Sequence, residues 1–253
     1  MSVDHTKRFS DRVGTYVLYR PKYPAEVREL LERECGLDTK SFVADIGCGP
    51  GNLTELFLPT AACVYGVEPN HEMREAGQKL LQAHANFVSV DGTAEATTLP
   101  NASVDFITAG QAFHWFDQGK AKEEFRRILR PGGSVALIWN DRLTDESPFL
   151  QEYESLLESH AGEYRTVNHR NKTEASMREF MLPAEMKLAT FCNAQQLNLA
   201  GLKGRVESSS YVPLTGEGHR NLMLGLEQLF DKYKEDEAVS FLYRTEVYYA
   251  TWP

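Results

Sequence analysis

From Phe42 to Asn140 short β-branched runs alternate with segments of helical period, which predicts βαβ units and a mostly parallel sheet. Strands are expected at Phe42–Gly47, Cys63–Glu68, Asn86–Val90, Val104–Ala109 and Ser134–Asn140. Between them, Met73, Ala76, Leu80 and Leu81 fall on one helical face, as do Ala121, Phe125, Ile128 and Leu129. Pro131 ends the second of these helices, and Gly132 and Gly133 permit a reversal into the next strand. Ahead of this block, Pro24 to Cys35 reads as a helix with Val27, Leu30, Leu31 and Cys35 inward and Gly36 as its stop. After it, residues 141–186 are charged, with a helical stretch near Phe149 to His160 and a polar loop around Asn168 to Thr173, and predict a cap over the carboxyl edge of the sheet. Ala200 to Val206 and Asn221 to Tyr233 read as helices, and the Tyr- and Val-rich run Val239 to Tyr249 as a strand that closes the sheet.

At 253 residues the chain sits near the size at which one hydrophobic core stops growing. A single elaborated domain is expected: an N-terminal arm and helix over 9–36, a core over 37–140, the cap over 141–186 and closing strands and helices over 187–253. The composition, 42% hydrophobic and 25% charged, is that of an ordinary soluble globular chain. No apolar stretch approaches the roughly 18 residues of a membrane helix, and the polar start carries no secretory h-region, so the expected address is cytoplasmic. A net charge of −9 disfavours nucleic-acid binding through a basic face. Cys35, Cys48, Cys63 and Cys192 form no Cys-x-x-Cys, and no His-x-x-x-His pair occurs, so neither disulfides nor a metal is expected.

The segment Val43-Ala44-Asp45-Ile46-Gly47-Cys48-Gly49-Pro50-Gly51-Asn52 is an apolar strand running into a glycine-rich turn. Such a turn lets backbone approach a ligand and aims helix N–H groups at it. Glu68 ends the next strand, where a carboxylate can accept hydrogen bonds from both hydroxyls of a ribose. A dinucleotide fingerprint wants Gly-x-Gly-x-x-Gly or Ala. Here Asn52 stands third and the glycine comes one residue early, at Gly51.

Asp-x-Gly-x-Gly-x-Gly followed by an acid at the end of strand two resembles the class I S-adenosylmethionine-dependent methyltransferases. Thr93-Ala94-Glu95, Leu99-Pro100, Val104-Asp105 and Leu129-Arg130-Pro131-Gly132-Gly133 extend the likeness in the same order. Tyr16-x-x-Tyr19-Arg20-Pro21-Lys22-Tyr23-Pro24 and Gln111-Ala112-Phe113-His114-Trp115-Phe116 are similar to a subgroup that includes relatives of trans-aconitate methyltransferase. The resemblance implies an α/β fold, a Rossmann-like seven-stranded, mostly parallel sheet with helices on both faces and a helical cap.

It also implies S-adenosyl-L-methionine as cofactor, with its methionine part against Gly47, Cys48 and Gly49 and its ribose on Glu68. Asp45 holds the turn or meets the ammonium, Pro69-Asn70 and Met73 flank the adenine, and the backbone of Thr93 and Ala94 reads its edge. Many relatives carry Asp where this chain has Thr93, with Asp91 two residues earlier. Gln111 is placed beside the reacting methyl, Arg20 on the cofactor carboxylate, and Tyr16 or Tyr19 over the sulfonium. The candidates for catalysis are His114, as a base or a pocket wall, and Tyr19; packing is the alternative for each. Asp141 is a further carboxylate, or a helix cap.

The activity implied is methyl transfer to a small-molecule acceptor, with carboxylates and phenols as candidates, by a monomer or a homodimer. In-line displacement from a sulfonium rests mainly on positioning, and a carboxylate acceptor needs no base. The rivals are a cofactor-binding protein that has lost catalysis, an NAD(P)-dependent oxidoreductase disfavoured by the glycine spacing, and a nucleic-acid methyltransferase disfavoured by the charge.

Overall fold

The computed structural model describes residues 12–162, 164 and 173–253. The polar loop expected at Asn168 to Thr173 falls outside these residues except for Thr173. Seven strands form one sheet: β1 (Phe42–Ile46), β2 (Cys63–Val67), β3 (Phe87–Val90), β4 (Val104–Gly110), β5 (Leu129–Arg142), β6 (Lys187–Leu197) and β7 (Val239–Thr251). Their order is β3-β2-β1-β4-β5-β7-β6. The first five are parallel, and β7 runs antiparallel to both β5 and β6. The expected α/β, Rossmann-like, mostly parallel sheet is therefore present.

Three expectations change. The run ending at Tyr249 does not close the sheet. It lies inside it as β7, and the edge is β6, which was not anticipated. As an edge strand β6 buries only Leu197 fully, so its apolar alternation is diluted by Lys187, Asn193, Gln195 and Gln196. Gly132 and Gly133 do not begin β5 after a reversal. Residues 130–133 bulge within it, because Val104 pairs with Leu129 and Phe106 with Ser134. Leu80 faces solvent, 50% exposed, while Met73, Gly77 and Leu81 face inward.

The helices are α1 (Val13–Tyr19), α2 (Glu26–Cys35), α3 (Thr54–Phe57), α4 (His71–Leu81), α5 (Gln118–Ile128), α6 (Pro148–His160), α7 (Glu174–Met181), α8 (Leu199–Glu207) and α9 (Gly216–Tyr233). Helix α2 stops at Gly36, whose φ of +76° suits glycine. One face of the sheet packs Ile46, Ile107, Phe125, Leu137, Phe180 and Met181, and the other packs Leu31, Val43, Phe57, Val64, Phe106 and Val247. Helix α7 thus belongs to the sheet's core. Helices α6, α8 and α9 build a separate apolar cluster with the start of β7, through Phe149, Tyr153, Leu202, Leu226 and Phe241. Asp141 lies within β5, and the cap of α6 is Ser147, which accepts the Leu150 N–H at 3.2 Å.

Candidate active site

Reversal of strand order between β1 and β4 opens a crevice at the carboxyl ends of these strands, the place where open α/β sheets bind ligands. Gly47, Gly49 and Gly51 follow β1 with φ of +68°, +56° and +96°. A Cβ on Gly47 would come within 2.7 Å of the Ala112 Cβ, and one on Gly51 within 2.6 Å of Leu81 Cδ1. Gly47 and Gly51 are therefore needed both for backbone shape and for close packing, and Gly49 for shape alone. Beneath the turn, Asp45 is fully buried and accepts hydrogen bonds from Thr54 Oγ1 at 2.7 Å and Thr108 Oγ1 at 3.1 Å. Burial, only partly offset by those hydroxyls, raises its pKa to about 6.

Glu68, just past β2, accepts the N–H of Gly49 at 2.9 Å through Oε2 and of Asn70 at 2.8 Å through Oε1. Burial raises its pKa. One carboxylate thereby pins the glycine turn and the start of α4, while Asn70 caps α4 by accepting the Met73 N–H. Burial pushes the Cys48 thiol up as well. Gln111, just beyond β4, has a φ of +56°, a strained value for a residue with a side chain. Its Nε2 donates to the Asn140 carbonyl at 2.9 Å, while Oε1 is buried without a hydrogen-bond partner among the described residues.

An arm crosses the top of this crevice. Arg12 donates three hydrogen bonds, to the carbonyls of Glu207, Ser209 and Val212. The Lys22 carbonyl accepts from Asn140 and Asn193, and the Tyr19 carbonyl from Gln195. Between these anchors Arg20 stacks over the Tyr16 ring at 4.9 Å and donates to the Ser208 carbonyl at 2.8 Å. Its Nε is buried without a partner among the described residues. Burial and the nearby Arg205 lower its pKa.

Two joined cavities result. A cleft is lined by Gly49, Glu68, Pro69, Met73, Thr93 and Trp115. A smaller inner pocket is lined by Arg20, Tyr23, Asp45, Cys48, Asn140 and Arg205. Tyr16, Gly47, Gly110 and Gln111 line both. Of the residues singled out in the sequence, Tyr16, Arg20, Asp45, Gly47, Cys48, Gly49, Glu68, Pro69, Met73, Thr93 and Gln111 meet around these spaces. Ala94 packs its side chain into the core beside Thr93.

Tyr19 and His114 line neither cavity. The Tyr19 ring lies on Gly204, 2.1 Å from where a Cβ there would sit, and so docks α1 on α8. His114 rests against Trp115, with ring centroids 4.5 Å apart. Trp115 and Phe116 are the side chains of that turn that face the cleft. Asp91 is drawn away by an ion pair with Arg74 at 2.9 Å. Thr93 Oγ1 accepts the N–H groups of Glu95 and Ala96 at 3.2 Å each, holding its own turn. Tyr23, Asn140 and Arg205 also line the inner pocket, and the sequence reading assigned none of them to the site.

Residues 44–137 match the family model of the methyltransferase domain. An uncharacterized methyltransferase of Schizosaccharomyces pombe is 32% identical over 160 residues, covering 62% of this chain and 61% of the relative. Trans-aconitate 2-methyltransferase of Rhizobium rhizogenes is 33% identical over 144 residues, covering 55% of this chain and 54% of the relative. The chain thus spans between about half and three fifths of the length of these curated relatives. A solved structure described as a candidate type II methyltransferase of Anaeromyxobacter dehalogenans shares the fold, with a TM-score of 0.67 over 92% of this chain and 98% of the other at 20% identity. No described helix is long and apolar enough to cross a membrane. No group of metal-ligating side chains occurs among the described residues.

Proposed function

We propose that the protein is an S-adenosyl-L-methionine-dependent methyltransferase acting on a small-molecule acceptor. The observation that carries this is the cleft at the β1/β4 switch point, lined by Glu68 and the Gly47 to Gly49 turn that its carboxylate pins. The residues suit the cofactor: Gln111 Oε1 and Arg20 Nε are buried polar atoms left without partners in cavity-lining residues, as a donor-bearing, acceptor-bearing ligand requires. Glu68 would hold the ribose, Pro69 and Met73 the adenine, and Arg20 the carboxylate, with Asp45 beneath the ammonium.

Bound there, S-adenosyl-L-methionine would supply an electrophilic methyl carbon on a sulfonium, transferable to an acceptor lone pair with a neutral thioether left behind. The chain's part is to orient the partners and exclude water. Tyr16, on both cavities, offers a ring face to the positive sulfonium. With His114 and Tyr19 outside the cavities, positioning takes precedence over proton transfer. The relative named for trans-aconitate makes carboxylates the first acceptors to screen, with phenols second. The proposal is tested by calorimetry with S-adenosylmethionine, S-adenosylhomocysteine and NADH. Saturable binding of the first two supports it; binding of NADH alone overturns it.

A further inference from the structure

We infer that Arg205 is an anion-binding position for the methyl acceptor, so that the acceptor carries a carboxylate. This rests on the proposed function and extends it to the chemical class of the second substrate. Arg205, from α8, is 8% exposed and lines the inner pocket. Its Nε donates to the Tyr243 hydroxyl at 3.1 Å and Nη1 to Ser209 Oγ at 3.1 Å. Tyr243 in turn donates to Gln195 Oε1 at 2.8 Å, which orients the phenol oxygen toward Arg205. These neutral partners fix one edge of the guanidinium, and no described carboxylate pairs with it. Nη2 forms no hydrogen bond within the described residues.

Arg20 lines the same pocket, and its one hydrogen bond is to a carbonyl. Two guanidiniums thus share one small space with no ion pair to either among the described residues, in a chain whose net charge is −9. Their mutual repulsion is part of what lowers the pKa of Arg20. Buried charge is retained against that cost where a partner completes it. S-adenosylmethionine brings one carboxylate, for Arg20, together with two positive charges. The second guanidinium then calls for an anion from the acceptor, and a planar fork held at one edge suits a carboxylate. A carboxylate acceptor also fits a pocket into which neither His114 nor Tyr19 reaches.

The test uses the full chain saturated with S-adenosylhomocysteine and titrated in a calorimeter with formate, acetate, succinate, citrate and benzoate, the last three beside their methyl esters. Saturable binding of at least one acid with none for the paired ester is expected. Arg205→Met and Arg205→Lys should weaken that binding by about tenfold or more while S-adenosylhomocysteine affinity stays within about twofold of wild type. Tyr243→Phe, which frees Nε, should weaken it less. The inference is overturned if no acid binds, if esters bind as well as acids, if both Arg205 variants bind as wild type does, or if they lose S-adenosylhomocysteine instead, which would give Arg205 to the cofactor. Failure of wild-type protein to bind S-adenosylhomocysteine at the outset would instead reject the cofactor assignment.

Discussion

Glu68, past the end of β2, accepts the backbone N–H of Gly49, in the turn after β1, at 2.9 Å. The contact ties two parallel strands together at the mouth of the cleft, and it places a buried carboxylate where a ribose would lie. Each oxygen of Glu68 holds one backbone N–H and keeps capacity for a second donor. Glu68→Gln should therefore weaken S-adenosylhomocysteine binding by about 1.5–3 kcal/mol, the range for hydrogen bonds to a charged group. Calorimetry checks it, and an unchanged dissociation constant would remove Glu68 from the ribose.

The left-handed backbone at Gly47 leaves no room for a methyl group, since the Ala112 Cβ already stands 2.7 Å from that position. Gly47→Ala is expected to cost about 1–3 kcal/mol of stability from the backbone alone. It should abolish cofactor binding as well, because relief of the clash moves the turn into the cleft. Thermal unfolding with and without S-adenosylhomocysteine separates the two effects.

Asp45 ties acidity to both stability and binding. Its folded pKa of about 6 lies above the unfolded value, so the native state holds the extra proton between the two. This favours folding in mild acid, and the benefit fades as pH rises through 6, leaving a cost of at most about 3 kcal/mol at neutral pH. In the ligand-free protein, Asp45→Asn should flatten the pH dependence of stability between about 4 and 6 and raise the melting temperature at pH 7. If ionised Asp45 meets the ammonium, wild-type affinity for S-adenosylhomocysteine should fall by up to about tenfold per unit below pH 6, and the variant should show no such slope.

Glu124 behaves in the opposite sense. It accepts Thr97 N–H at 2.7 Å, Thr97 Oγ1 at 2.5 Å and the Arg127 guanidinium at 2.6 Å. The Arg127 hydrogen bond leads in pulling its pKa down to about 2. The stabilisation is complete above the unfolded pKa and is lost as pH falls from there through about 2. Glu124→Gln should cost about 2 kcal/mol at pH 7, and the difference from wild type should close as denaturation is repeated between about pH 4.5 and 2.

The turn chemistry was legible because it is local. Asp45, Gly47 and Gly49 come from one strand-to-helix segment, and Glu68 from the end of the neighbouring strand. Arg205 was not legible, because only the docking of α8 against α1, Tyr19 on Gly204, carries it to the pocket. His114 misled for a related reason. The positive φ at Gln111 decides which way the following turn faces, and it presents Trp115 and Phe116 to the cleft. Strand β6 escaped notice because an edge strand needs few apolar residues. The position of β7 escaped because a strand's place in a sheet is set by pairing across the molecule.

That pairing also orders events during synthesis. Strands β1 to β5 can assemble from consecutive βα units as they emerge. Strand β6 is made before its only partner and joins the sheet only through β7, which pairs with β5; the Thr245 hydroxyl that bonds Asn140 Oδ1 comes 105 residues later. Until then the flank of β5 is an unpaired hydrogen-bonding edge. The glycine turn can form early, but the pocket wall at Asn140 and Arg205, the latter held by Tyr243, is completed only when β7 is inserted.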